Sequence, residues 1–153
     1  MTMLRRLGRA ATAVLLLACA TSPSATIATT TFEPSLGIDT TLMTPLRGGL
    51  WYRDLEPGTG AEATRGRTVA VYYTGLFASG SEFEATQPPD EPVRFRLGSG
   101  EVIAGWDRGI AGMRVGGRRQ LAIPPALAYG SRGTDRIPPD AVLVFTIELM
   151  EVR

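Results

Sequence analysis

The sequence predicts an α+β domain in which a curved antiparallel sheet of five to six strands wraps around one short helix. Most periodic segments after residue 50 alternate apolar and polar residues, as strands do, and turn residues separate them. A single segment, Ile103 to Met113, repeats its apolar residues at helical spacing instead. Because this segment is rich in glycine, we expect its backbone to lie close against the concave face of the sheet.

Alternation and a high content of β-branched and aromatic residues predict the strands. In "VRFRL", for example, Val93, Phe95 and Leu97 fall on one face while Arg94 and Arg96 fall on the other. The predicted strands, in chain order, are Leu50–Leu55, Thr68–Phe77, a return strand through Phe83, Val93–Leu97, a strand containing Leu121 and Ile123, and Ala141–Val152.

The predicted helix has an apolar stripe with steps of three, four and three residues. The stripe consists of Ile103, Trp106, Ile110 and Met113. Asp107, Arg108 and Arg114 lie off this stripe. Gly105 and Gly109 each disfavour a helix by about 1 kcal/mol relative to alanine, so tertiary packing must hold it.

Residues 1–20 have the pattern of a signal peptide. Arginines precede the apolar run Ala10–Ala18, which is too short to span a bilayer. Two processing routes remain open: lipidation at Cys19, which the placement of the only cysteine favours, or cleavage before Thr21. Either route predicts an exported protein, in the periplasm or anchored as a lipoprotein in a bacterial envelope. Residues 20–45 are rich in Thr, Ser and Pro and are predicted to be a tether, followed by one domain over residues 46–153.

The composition excludes several classes of function. Sixteen basic and fifteen acidic residues give a net charge of +1, so no nucleic-acid partner is indicated. The chain has no histidine, the commonest general base and transition-metal ligand, and no phosphate-binding motif, so no cofactor or metal is expected. The remaining candidates are aromatic, and Tyr129 is notable because it lies in a polar loop outside any periodic segment.

Four segments, "VYYTGLF", "GSGEVIAGWDRGIAGMRVGGRR", "IPPALAYG" and "IPPDAVLVFTIELMEV", resemble in order and spacing the FKBP-type peptidyl-prolyl isomerases. The resemblance covers residues 46–153. It implies the fold predicted above, and it implies an enzyme that rotates X–Pro peptide bonds and so assists the folding of exported proteins. The alternative is a non-catalytic peptide-binding or chaperone module on the same fold.

The resemblance also implies the residues of the site. Trp106 would be the floor, the backbone N–H of Ile103 would donate to a ligand carbonyl, and the hydroxyl of Tyr129 would contact ligand carbonyls. The complete set of implied site residues is Tyr73, Phe83, Glu84, Val102, Ile103, Trp106, Tyr129, Ile137 and Phe145. The expected partners are proline-containing polypeptides and macrolides, bound by a monomer whose only membrane attachment is a lipid anchor.

Two positions depart from the family pattern at the rim of the implied pocket. Glu84 stands where the family usually has Asp, and Val93 stands where an aromatic residue is common. The loop after Tyr129 is also about one residue shorter. These differences bear more on macrolide affinity than on isomerisation, because the floor at Trp106 and the wall at Phe145 are retained.

Overall fold

The computed structural model describes residues 23–153, which form a seven-stranded antiparallel sheet in the order β1-β2-β6-β7-β3-β4, with β5 also paired to β3. No helix in this part of the chain is long and apolar enough to cross a membrane. The strands are β1 Thr44–Pro45, β2 Trp51–Glu56, β3 Thr68–Phe77, β4 Glu82–Thr86, β5 Val93–Arg96, β6 Arg118–Ile123 and β7 Leu143–Val152. The helices are α1 Pro23–Thr29 and α2 Ala104–Gly109, with short 3-10 turns at Pro34–Leu36, Thr40–Leu42 and Pro125–Leu127.

The predicted fold class is confirmed: an open antiparallel sheet packs against the short helix α2. Register shifts in the β2–β6, β3–β4 and β3–β7 pairs mark bulges, which bend a sheet and increase its twist. α2 is shorter than the apolar stripe, because the regular helix ends at Gly109. Ile110 and Met113 are nevertheless buried, so the stripe identified core residues correctly but overstated the length of the helix.

The glycines of α2 let its backbone approach β6. A Cβ atom added at Gly105 would lie 2.5 Å from Cγ2 of Ile123, and one added at Gly109 would lie 2.8 Å from Cδ1 of Leu121. Real Cβ contacts are not this short, so any larger residue would push the helix away from the strand. The helix therefore needs glycine at both positions in order to pack on β6, although glycine has a poor helix propensity.

Arg119 links three elements behind the helix, and its side chain is only 7% exposed. Its guanidinium makes a two-point ion pair with Asp54 of β2, at 2.6 and 3.0 Å. It also donates to the carbonyl oxygens of Gly109 and Ala111, at 2.9 and 3.2 Å. The same guanidinium lies 4.2 Å from the centre of the Tyr52 ring. The end of α2 is thus tied directly to β2 and β6.

Residues 23–45, which the sequence analysis assigned to a tether, pack against the outer face of the sheet in the structure. Ile27 is completely buried, and Met43 packs with it on Ala122 of β6. The side-chain amide of Gln120 donates to the carbonyl oxygen of Leu36 at 2.8 Å. The segment has little charge and no periodicity, so the sequence did not predict that its isolated apolar residues cover the sheet. The predicted signal peptide, residues 1–20 with Cys19, lies outside the described residues.

Candidate active site

A cavity of about 350 Å³ opens where the start of α2 meets the concave face of β3 and β7. Aromatic and aliphatic side chains make up most of its wall, and the polar groups are carboxylates and tyrosine hydroxyls. The lining residues are Tyr73, Glu84, Val93, Glu101, Val102, Ile103, Trp106, Tyr129 and Phe145. Apolar pockets with a few polar groups are typical of small-ligand and peptide-side-chain sites.

Trp106 forms the floor of this cavity and is held by ring contacts on several sides. Its ring centre lies 4.8 Å from that of Tyr73 and 5.3 Å from that of Phe145, both in edge-on arrangements. Phe95 of β5 packs at 5.8 Å. Edge-to-face aromatic pairs are worth about 0.5–1.5 kcal/mol each beyond the area they bury. The orientation of the indole is therefore fixed before any ligand binds.

Asp107 holds the turn that leads into the cavity wall. Its two carboxylate oxygens accept the backbone N–H groups of Gly98, at 2.7 Å, and Gly100, at 2.9 Å. Asp107 lies off the apolar stripe of the sequence, yet the residue is only 8% exposed in the structure. The carboxylate is buried because it takes up two backbone donors of the turn, and it thereby positions the chain that continues into Val102 and Ile103.

Two hydrogen-bond donors at the cavity have no partner within residues 23–153. The backbone N–H of Ile103, the residue that precedes α2, donates to no protein group there. The hydroxyl of Tyr129 likewise has none, and its residue is 37% exposed. Both residues line the cavity, so both groups are free to donate a hydrogen bond to an acceptor placed there.

The carboxylate of Glu84 acts on both tyrosines of the cavity. Burial of the hydroxyl and the nearby charge of Glu84 raise the pKa of Tyr73 to about 12. Burial and the same carboxylate also raise the pKa of Tyr129. In each case the phenolate is disfavoured, first by loss of hydration and then by charge repulsion. Both hydroxyls therefore stay protonated to a higher pH than that of an ordinary tyrosine, and the hydroxyl of Tyr73 donates to Glu84.

Seven of the nine residues predicted for the site line this cavity, and two do not. Phe83 and Ile137 line a smaller neighbouring cavity of about 170 Å³, which Glu84 and Tyr129 also border. Phe83 packs edge-on against Phe145 at 5.6 Å, so it supports the wall of the main cavity from behind. Ile137 is buried at 4% exposure. Val93 and Glu101, absent from that predicted set, complete the lining.

Two residues that support the site, Asp107 and Arg119, were not predicted from the sequence. For Arg119 a signal existed: in β6 it falls on the same face as Leu121 and Ile123, at the spacing of two that marks the core side of a strand. An arginine in that position requires buried acceptors. For metals, residues 23–153 contain no group of three or more His, Cys, Asp or Glu side chains able to hold an ion.

Comparison with known proteins agrees with this geometry. Residues 60–150 match the family model of the FKBP-type peptidyl-prolyl cis-trans isomerases. An FK506-binding protein of Neisseria meningitidis serogroup B is 43% identical over 106 residues, which are 69% of this chain and 97% of that protein. An FK506-binding protein of Streptomyces anulatus is 47% identical over 103 residues, 65% of this chain and 83% of that protein.

A solved structure of a peptidyl-prolyl cis-trans isomerase from Pseudomonas syringae superimposes with a TM-score of 0.65 at 37% identity. The match covers 72% of this chain and 80% of that one. The family model spans more than half of the chain, and it includes the helix, the turn before it and the loop that carries Tyr129. This chain therefore belongs to the FKBP-type peptidyl-prolyl cis-trans isomerase family and is an isomerase of that type.

Proposed function

We propose that the cavity over Trp106 is where this isomerase rotates X–Pro bonds, and that its substrates are exported polypeptides during folding. The observation that carries the proposal is an apolar cavity with an aromatic floor and two donors that have no partner within residues 23–153, the Ile103 N–H and the Tyr129 hydroxyl. The proline ring would lie on Trp106, beside Tyr73 and Phe145. The N–H and the hydroxyl would hold the flanking carbonyl oxygens.

An apolar cavity can lower the barrier to this rotation without acid, base or nucleophile. Amide resonance sets the barrier at about 18–20 kcal/mol, and uncatalysed rotation takes tens of seconds or longer. The planar amide is more charge-separated than the twisted one, so removing water disfavours the planar ground state more. A site that binds the twisted amide more tightly than the planar one accelerates the rotation. No bond is made or broken, so the lack of histidine is no obstacle.

The test is Trp106→Ala, with Trp51→Phe as its control. Trp51 is the other tryptophan and packs on the outer face of the sheet. We expect Trp106→Ala to lower kcat/KM for a proline-containing peptide by at least about tenfold, equivalent to about 1.4 kcal/mol in the barrier, while Trp51→Phe retains the wild-type rate. Circular dichroism would establish that both variants are folded. Wild-type rates in folded Trp106→Ala would rule the proposal out.

Two finer parts of the proposal concern ligands and location. The Neisseria and Streptomyces relatives are named FK506-binding proteins, which supports macrolide binding in the same cavity here. Inhibition of the peptide assay by FK506 would test it.

The signal pattern supports export, with lipidation at Cys19 as the favoured route and cleavage before Thr21 as the other. The intact mass of the protein extracted from membranes distinguishes these two routes.

A further inference from the structure

We infer that the isomerase site prefers peptides with a basic residue beside the proline and disfavours acidic ones, and that Glu84 determines this preference. The inference rests on the proposed function, because it concerns the same cavity. Its starting point is the charge of the wall: Glu84 and Glu101 line the cavity, and none of the arginines in residues 23–153 does. The chain carries sixteen basic residues, all arginine, so the one-sided charge reflects placement and not a shortage of cations.

Of the two carboxylates, Glu84 is hydrogen-bonded by a neutral group, the hydroxyl of Tyr73. The neighbouring smaller cavity brings Arg136 near it, yet neither residue forms an ion pair within residues 23–153. Glu84 sits on β4 opposite Gly75 of β3, so it projects from an ordered strand and not from a loop. Its negative charge thus lies at one side of the cavity mouth, and no cation of residues 23–153 pairs with it.

Glu101 contributes less, because both of its oxygens have hydrogen-bond partners and the guanidinium of Arg96 also acts on its charge. One accepts the backbone N–H of Arg96 at 3.1 Å and the other accepts the hydroxyl of Ser99 at 2.9 Å. These hydrogen bonds, together with the charge of the Arg96 guanidinium, lower the pKa of Glu101. The residue therefore stays ionised, but the guanidinium of Arg96 partly cancels its field.

The field of Glu84 reaches the interior of the cavity. Its charge contributes to the raised pKa of both Tyr73 and Tyr129, two residues that line the wall. The negative charge of Glu84 would attract a cationic side chain next to a bound proline and repel an anionic one. We take a separation near 10 Å between Glu84 and that side chain, and an effective dielectric constant between those of protein and water. The interaction energy of two unit charges then changes kcat/KM by about two- to threefold in each direction.

The experiment compares three short peptides that differ only in the residue before proline: lysine, glutamine or glutamate. We expect kcat/KM to fall in that order at low ionic strength, with a ratio of about five between lysine and glutamate peptides. Raising the salt to about 1 M, where the screening length falls to about 3 Å, should reduce the ratio towards one. Equal kcat/KM values at low salt, or a ratio unaffected by salt, would overturn the inference.

Glu84→Gln removes the charge but keeps the size, and we expect it to reduce the ratio between lysine and glutamate peptides to below about two. Glu148→Gln is the matched control, since Glu148 is an exposed carboxylate that borders a groove between Tyr72 and Arg118, away from the cavity lining. It should leave the ratio unchanged. An equal effect of both substitutions would assign the preference to net charge and contradict a role of Glu84. Should Glu84→Gln not fold, Glu84→Thr takes its place, because it also removes the charge and threonine suits a strand.

Failure of the inference can be told apart from failure of the proposed function. If no peptide is isomerised, the proposed function fails, but peptide binding followed by tryptophan fluorescence still ranks the three peptides. Lysine above glutamate in affinity, lost in Glu84→Gln, supports the charge preference even then. If all three peptides are isomerised equally well, the proposed function stands and the charge preference is wrong.

Discussion

Asp107 shapes the cavity without lining it, because its carboxylate fixes the turn before Val102 and Ile103. Asp107→Asn keeps the size but replaces one acceptor with an NH₂ group, which would face the N–H of Gly98 or Gly100. We expect the free energy of unfolding to fall by about 1–3 kcal/mol, the cost of an unsatisfied buried polar group. Urea unfolding measures this, and unchanged stability would show that the two hydrogen bonds contribute nothing.

The same substitution should also raise KM more than it lowers kcat. In the proposed binding mode the turn positions the Ile103 N–H for a substrate carbonyl, while the substitution leaves the floor at Trp106 unchanged. A residue with a purely structural role would leave KM at its wild-type value in the folded variant. Measuring kcat and KM separately for Asp107→Asn therefore distinguishes a positioning role from a structural one.

Tyr73 makes stability depend on pH in the alkaline range. Its pKa is raised from the ordinary value of 10.0 to about 12, first by burial and then by Glu84. Below pH 10 the hydroxyl is protonated in both states, and its contribution to stability is complete. As the pH rises from 10 to about 12, the unfolded chain releases this proton and the folded chain does not, so stability falls.

We expect this loss to be smaller in Tyr73→Phe, which has no proton to release at that position. The measurement is the free energy of unfolding of both proteins as a function of pH. Titration of phenolate absorbance provides an independent check, since the wild-type protein should retain one more late-titrating tyrosine than the variant. Parallel pH profiles for the two proteins would contradict the raised pKa.

At single positions, resemblance predicted more than periodicity did. It identified seven residues of the cavity wall, because a pocket of this kind needs the same chemical groups at the same places in the chain. It did not separate the wall from its support, and it placed Phe83 and Ile137 in the main cavity. Asp107 was missed because its partners are backbone N–H groups, which no side-chain pattern reveals.

Contact with β6 restricts the residues that helix α2 can carry at Gly105 more strongly than helix propensity does. Alanine favours a helix over glycine by about 1 kcal/mol, so propensity alone predicts that Gly105→Ala stabilises the protein. The new Cβ would lie 2.5 and 2.7 Å from two carbons of the buried Ile123 side chain. We expect a net destabilisation of about 1–3 kcal/mol, typical of overpacking in a core. Thermal unfolding of the variant tests this: a lower midpoint than that of the wild type supports overpacking, and a higher one supports helix propensity.

A second variant links that clash to Ile123. In Gly105→Ala combined with Ile123→Val, the smaller side chain should make room for the added methyl group. We expect the two changes together to cost less than the sum of their separate costs, the signature of residues in contact. Additive costs would place the effect of Gly105→Ala elsewhere than in the contact with β6.

Among the elements, strands were predicted more accurately than the helix, for a physical reason. Thr68–Phe77 is predicted and observed with the same bounds, because this long segment, rich in β-branched and aromatic residues, pairs on both sides within the sheet. The helix was predicted to follow its apolar stripe through Met113, but the regular hydrogen bonding ends at Gly109. Burial requires only that Ile110 and Met113 point to the core, and a turn can satisfy that as well as a helix.

In the whole molecule, the sheet has two covered faces. α2 packs on the concave face, and residues 23–45 cover part of the outer face, where Ala122 and Val144 are completely buried. Sequence patterns could not predict this second layer, because the covering segment has no period and contributes single apolar residues. The neighbouring sheet residues were an available clue, since Val144 is an outward-facing valine in a strand whose other outward positions include Thr146 and Glu148.

This second layer predicts that Ile27 matters to stability although it lies in a segment with the composition of a linker. Ile27 is completely buried, whereas Leu42 of the same segment is 57% exposed. Ile27→Ala should lower the free energy of unfolding by about 2–4 kcal/mol, the usual cost of emptying a buried site. Leu42→Ala is the matched control and should change it by less than about 0.5 kcal/mol. A tether without packing would give two small and equal effects.

The isomerase rate tests whether the two layers are independent. The cavity opens on the concave side of the sheet, and none of residues 23–45 lines it. At a temperature where both variants are fully folded, we therefore expect Ile27→Ala to retain the wild-type kcat/KM for proline-containing peptides. A loss of activity in the folded variant would mean that the outer layer sets the curvature of β6 and β7, and through it the distance between Phe145 and Trp106, now 5.3 Å between ring centres.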